Sequence, residues 1–94
     1  MQDLGSTACQ TVMLTRVLLA NWTQEQQLRQ SGSLATYFLT LYTFLVRRTL
    51  EERLRQQYAV TDLTGFYESA AFRTSGFKLE AADILAERRI TYAE

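Results

Sequence analysis

Leu34-Ala35-Thr36-Tyr37-Phe38-Leu39-Thr40-Leu41-Tyr42-Thr43-Phe44-Leu45-Val46 is the stretch on which the fold turns, thirteen residues without a charge. Its aromatic and branched side chains would suit a strand. Its polar positions would not. Thr36, Thr40 and Thr43 are separated by four and then three residues, a helical repeat, whereas a half-buried strand alternates every second residue. Leu50, Leu54 and Tyr58 carry the spacing of four onward. Ser33 offers an N-terminal cap. The expectation is one helix of about seven turns from Ser33 to about Tyr58.

Working outward, Gly32 separates this helix from a first segment spanning about Thr7 to Ser31. Thr7 and Gln10 have capping-box spacing, and Thr7, Thr11 and Thr15 fall in one row on a helix. Val12, Val17, Leu18, Leu19 and Trp22 supply apolar surface. Thr23 with Gln26 repeats the box, so the segment is either one long helix or two helices broken near Asn21. A third helix is expected from Thr61 or Asp62 to about Thr74, carrying Phe66, Tyr67, Ala70 and Phe72, with Gly65 in its first turn and Gly76 as its stop. A fourth should run from about Leu79 to Ile90. Glu80 and Asp83 near its start and Arg88 and Arg89 near its end suit the helix dipole. The chain has no proline to interrupt any of these. At 94 residues the expectation is a single helical domain over residues 1–94: all-α, a small bundle of three to five helices around one long central helix.

Composition removes several chemistries. There is no histidine, so Ser-His-Asp and Cys-His catalysis cannot be assembled within one chain. The one cysteine, Cys9, can form no disulfide within the chain, and zinc sites of four cysteines or paired cysteines and histidines are excluded. Cys9 reads as a small packing residue. Lys78 is the one lysine, and it lacks the glycine-rich approach of a phosphate loop. Glu80, Asp83 and Glu87 share a helix face, but with no histidine and no second acidic helix of matching spacing they read as surface charge. No enzyme, cofactor or metal site is expected. Met1-Gln2-Asp3 lacks the positive start of a secretory signal, and the apolar stretch Leu34–Val46 is shorter than the roughly 20 residues of a membrane span. A reducing, cytoplasmic setting is the expectation, with membranes not expected as a partner.

Charge is distributed unevenly. Residues 1–45 hold Asp3, Arg16, Glu25 and Arg29 and no other charged side chain, although the chain carries ten basic and ten acidic residues. A helix as apolar as Leu34–Val46 must be covered on most sides, and a small domain buries only about 60–65% of its unfolded surface. Either the other helices cover it or a second protein does. The expected partner is a second copy of the chain, in a homodimer, or another protein. Tyr37, Leu41, Phe44 and Leu45 would make the contact, and the run from Arg47 to Arg55 (Arg47, Arg48 and Arg55 above all) would confer specificity. Arg47 with Glu51, Arg48 with Glu52, and Glu51 with Arg55 are each four apart, the spacing of a solvated, ion-paired face. Trp22 and the aromatics Phe66, Tyr67, Phe72 and Phe77 read as packing residues, or as anchors where exposed.

The functional expectation is a non-enzymatic protein–protein interaction module: a small regulator, adaptor or assembly chaperone. Two alternatives remain. A small DNA-binding transcriptional regulator would use Arg73, Lys78, Arg88 and Arg89 on the C-terminal helices, with acidic Glu80, Asp83 and Glu87 opposing it. A membrane-associated protein would use Leu34–Val46. Zero net charge argues against strong nucleic-acid binding.

Overall fold

The computed structural model describes residues 7–72 and 80–92. They form four helices, α1 (Thr7–Ser31), α2 (Leu34–Gln57), α3 (Leu63–Phe72) and α4 (Ala81–Glu87), with no strand among the described residues. The all-α bundle expected from the sequence is the fold. Two long helices build it rather than one, since α1 has 25 residues and α2 has 24.

α1 runs unbroken through Asn21. The break that Thr23 and Gln26 suggested does not occur, because the Thr23 hydroxyl donates to the Leu19 carbonyl at 2.8 Å within the helix instead of capping a new one. Gln10 likewise is no box partner for Thr7; its Oε1 accepts a hydrogen bond from the Tyr58 hydroxyl at 3.2 Å. That bond ties the start of α1 to the end of α2, and the two helices run antiparallel.

The turn between them has two residues. Gly32 adopts φ +70, a left-handed conformation that disfavours any Cβ. Ser33 is the N-cap of α2, its hydroxyl accepting from the Thr36 N–H at 3.2 Å. A turn this short forces neighbouring helices to pack along their length. They meet through small side chains. Thr11, Thr15 and Thr43 are buried, and each hydroxyl donates to a carbonyl one turn back: Thr11 to Thr7 at 2.7 Å, Thr15 to Thr11 at 3.0 Å and Thr43 to Leu39 at 2.8 Å. Each threonine thus satisfies its own hydroxyl and needs nothing from the facing helix. Thr40 does the same with Thr36 at 2.8 Å.

The apolar core lies at the other end of the hairpin. Leu18, Leu19, Leu54, Val60, Leu63, Phe66, Ala70, Ala81, Ile84 and Leu85 are buried there, with α4 resting on α1 and α3. Asp62 caps α3, its carboxylate accepting from the Gly65 N–H at 3.0 Å. A Cβ at Gly65 would lie 2.8 Å from the Arg88 guanidinium and closer still to the Asp62 carboxylate, so any larger residue there would displace those two side chains, the capping carboxylate among them.

α4 ends earlier than the sequence suggested, and the reason is visible. Its expected extension to Ile90 is cut at Glu87 because Arg89 turns left-handed at φ 53. The Arg89 N–H then reaches Ala86 O at 3.1 Å and the Ile90 N–H reaches Leu85 O at 3.0 Å. This paired closure ends a helix, with Ile90 folding back onto Leu85. The other expected limits, Thr74, Gly76 and Leu79, lie outside the described residues. α2 ends in a related way: Ala59 sits at φ 58 and Val60 N–H returns to Leu54 O at 3.0 Å.

Ala59 carries a Cβ in a conformation that glycine takes freely. Relief of that crowding, about 1–2 kcal/mol, exceeds the entropy glycine adds to the unfolded chain, about 0.5–1 kcal/mol. Ala59→Gly is therefore expected to raise the unfolding free energy by about 0.5–1 kcal/mol, read from the urea midpoint at unchanged slope.

Candidate interaction surface on the second helix

α2 carries two seams with the same spacing. Thr36, Thr40, Thr43, Arg47, Leu50 and Leu54 recur at alternating intervals of four and three and are partly or fully buried against the rest of the fold. Leu34, Phe38, Leu41, Leu45, Arg48 and Glu52 recur at the same intervals on the opposite side and are all exposed. Such a repeat keeps one stripe of side chains in line along a helix.

The outer stripe and its flanks are unusually apolar. Leu34, Tyr37, Phe38, Leu39, Leu41, Tyr42 and Leu45 are seven large apolar side chains with exposures from 47% at Leu41 to 75% at Leu34. The Tyr37 and Phe38 rings meet edge to face at 5.6 Å. Helix length explains why they are bare. α2 is about 36 Å long, whereas α3 and α4 reach about 15 and 10 Å at 1.5 Å per residue. Both sit against the core end, so the half of α2 nearest the turn is covered by α1 alone among the described helices.

Between the core and this face lies a buried ionic node. The Glu25 side chain is 2% exposed, and its Oε2 accepts a close hydrogen bond from Arg47, 15% exposed, and an ion pair from Arg29 at 3.5 Å. Arg47 also pairs with Glu51 at 3.8 Å, and Glu51 with Arg55 at 3.8 Å. The Arg47 guanidinium lies 5.1 Å from the centre of the Phe44 ring and 5.9 Å from that of Tyr67, and Tyr67 stacks on Trp22 at 6.0 Å. Burial, reinforced by the Glu51 carboxylate, pushes the Tyr67 phenol well above its usual range, so it stays protonated.

The expected contact residues therefore separate. Tyr37, Leu41 and Leu45 stand on the exposed face. Phe44 is half-buried, with Arg47 and Arg48 over its ring. Arg47 turns inward to Glu25, so the solvated face read across Arg47–Arg55 is corrected at Arg47 and Glu51; Arg48 and Arg55 remain exposed. Leu34, Phe38, Leu39 and Tyr42 join the face although the sequence reading did not single them out. Glu25 was also missed. Its signal was present, since it is the one acidic residue between Asp3 and Glu51.

Of the basic residues in the DNA-binding alternative, Arg73 and Lys78 lie outside the described residues. Arg88 faces Glu68 at 3.9 Å, and Arg89 sits in the turn that ends α4. No described helix is long and apolar enough to cross a membrane. Among the described residues no three Cys, Asp or Glu side chains cluster as a metal site would require. Comparison with protein-family models, curated proteins and solved structures returns no match for the chain.

Removing one partner of a buried ion pair weakens the compensation of the other charge, and without Glu25 the Arg47 guanidinium would keep only Glu51, at 3.8 Å. Glu25→Gln should cost on the order of 3 kcal/mol of stability. Replacing both groups, as in Glu25→Met with Arg47→Met, should recover most of that loss. A double-mutant cycle by chemical denaturation checks both values.

Proposed function

We propose that this chain is a non-enzymatic protein–protein interaction module, a small regulator, adaptor or assembly chaperone, and that it works as a homodimer through the outer face of α2. The observation that carries the reading is the run of seven exposed large apolar side chains on the turn-proximal half of α2. Contiguous apolar patches beyond a few hundred square ångströms mark interaction sites in soluble proteins. Aromatic side chains, prominent here in Tyr37, Phe38 and Tyr42, are enriched where binding energy concentrates.

Two further observations support it. The face carries no charge between Arg29 and Arg47, so covering it desolvates no ion. The hairpin beneath it is held by the Glu25–Arg47 pair and the Tyr58–Gln10 bond. A partner therefore meets a surface that is already ordered, which lowers the entropy cost of association.

The test is solution mass. Wild-type protein at micromolar concentration should elute with a light-scattering mass near twice 10.8 kDa. Leu41→Arg should bring it to the monomer value with unchanged helical circular dichroism. A monomeric wild type over the whole accessible concentration range overturns the homodimer.

A further inference from the structure

The outer seam also carries information about how two copies would meet. We infer that the homodimer proposed above is formed by antiparallel pairing of the outer face of α2 with itself, Leu34 of one copy against Leu45 of the other and Phe38 against Leu41. The inference rests on the homodimer reading and adds its geometry.

The stripe is Leu34, Phe38, Leu41 and Leu45, and the next positions in the same repeat are Arg48 and Glu52, both exposed. A parallel pair would place Arg48 beside Arg48 and Glu52 beside Glu52 along the seam, like charges held together at two successive layers. It would also bring the two core ends, with α3 and α4, to the same end of the dimer.

An antiparallel pair avoids both problems. Its two-fold axis passes midway along the stripe, between Leu39 and Thr40. Each of the four layers is then made of two apolar residues, Leu34 with Leu45 twice and Phe38 with Leu41 twice. Arg48 lies beyond the first turn of the second copy's α2 and keeps its water. The core ends point away from each other. The flanks match as well: Tyr42, 68% exposed, falls beside the small Ala35 of the other copy, and Tyr37, 62% exposed, beside Phe44. In antiparallel coiled helices like flank positions face each other, so large meets small on one side and ring meets ring on the other. In this register the stripe is complementary to itself in charge and in side-chain size. A foreign partner would need none of these coincidences.

The register is read by cross-linking. In a Cys9→Ala background, Leu34→Cys and Leu45→Cys are prepared separately, then mixed and oxidised. Antiparallel pairing predicts a disulfide-linked heterodimer in the mixture. Neither variant should link to itself, because equivalent positions lie 11 residues apart along the pair, about 16 Å at 1.5 Å per residue. A disulfide needs Cα atoms within about 7 Å. Self-linking of either variant alone overturns the antiparallel register.

Thr49→Cys tests the same point without touching the stripe. Nitroxide labels there should lie about 28 Å apart along the axis in the antiparallel dimer and side by side in a parallel one. A wild-type dimer in which the mixture fails to link and the labels sit close overturns this register while the homodimer stands. A monomeric wild type overturns both.

Discussion

Glu25 is the constraint around which the hairpin is organised. It is the one acidic side chain between Asp3 and Glu51, it is buried, and it sits on α1 facing α2. A lone buried carboxylate would cost several kcal/mol in solvation. The structure offsets that cost at one oxygen, Oε2, which Arg29 approaches from one turn further along α1 and Arg47 from the facing helix, while the buried Oε1 accepts no hydrogen bond. Because the Arg47 contact crosses between helices, it also fixes their relative register. Sliding α2 by one turn would move Arg47 away and bring Thr43 or Leu50 opposite the carboxylate, neither of which can neutralise it. The register of the threonine seam, and with it the pairing of Tyr58 with Gln10 at the far end, follows from this pair.

The node also divides the hairpin by character. On its core side, Leu18, Leu54, Tyr58 and the two helices after α2 form a conventional apolar interior. On its turn side, α2 turns Thr36, Thr40 and Thr43 inward and presents leucines and aromatics to the outside. Arg47 belongs to both halves, since its guanidinium faces Glu25 and Glu51 while lying over Phe44 and Tyr67. Tyr67 brings α3 into the node and Trp22 stacks beneath it, so the short third helix is anchored where the two halves join.

Much of this was legible in the residues. Thr36, Thr40 and Thr43 identified a helix where composition alone suited a strand, and Gly32 and Ser33 marked its start within a residue. The end of α1 at Ser31 was equally clear. What misled was local chemistry with two uses. Thr23 has the spacing of a cap, but a threonine inside a helix can equally bond its own carbonyl one turn back, and nothing local distinguishes the two. The end of α4 was hidden because Arg89 adopts the left-handed turn that glycine usually marks. The face of α2 was only half legible. Its apolar character stood in the sequence, but which of its residues point outward depends on where α1 lies, and that depends on Glu25 choosing Arg47. Read as a pattern of spacings, Arg47 belonged with a solvated run; placed in three dimensions, it is the residue that run gives up to the interior.

The separation of the two halves bears on how such a chain can associate without losing its fold. In many small domains the apolar surface that binds a partner is the same surface that would otherwise complete the core, so folding and binding compete for it. Here the core is closed at one end by α3, α4 and Ile90 before the apolar face begins. The face is displayed on a helix whose inner side is already occupied, and its outer side repeats at an interval of its own. Leu41 and Leu45 stand outside the buried core cluster, and Leu54 and Phe66 stand outside the exposed face. Stability and the proposed association can therefore vary independently. What links them is the rigidity of the hairpin, and that returns the dependence to Glu25 and Arg47: loosening the pair would leave every residue of the outer stripe in sequence while blurring the alignment that the proposed antiparallel pairing requires.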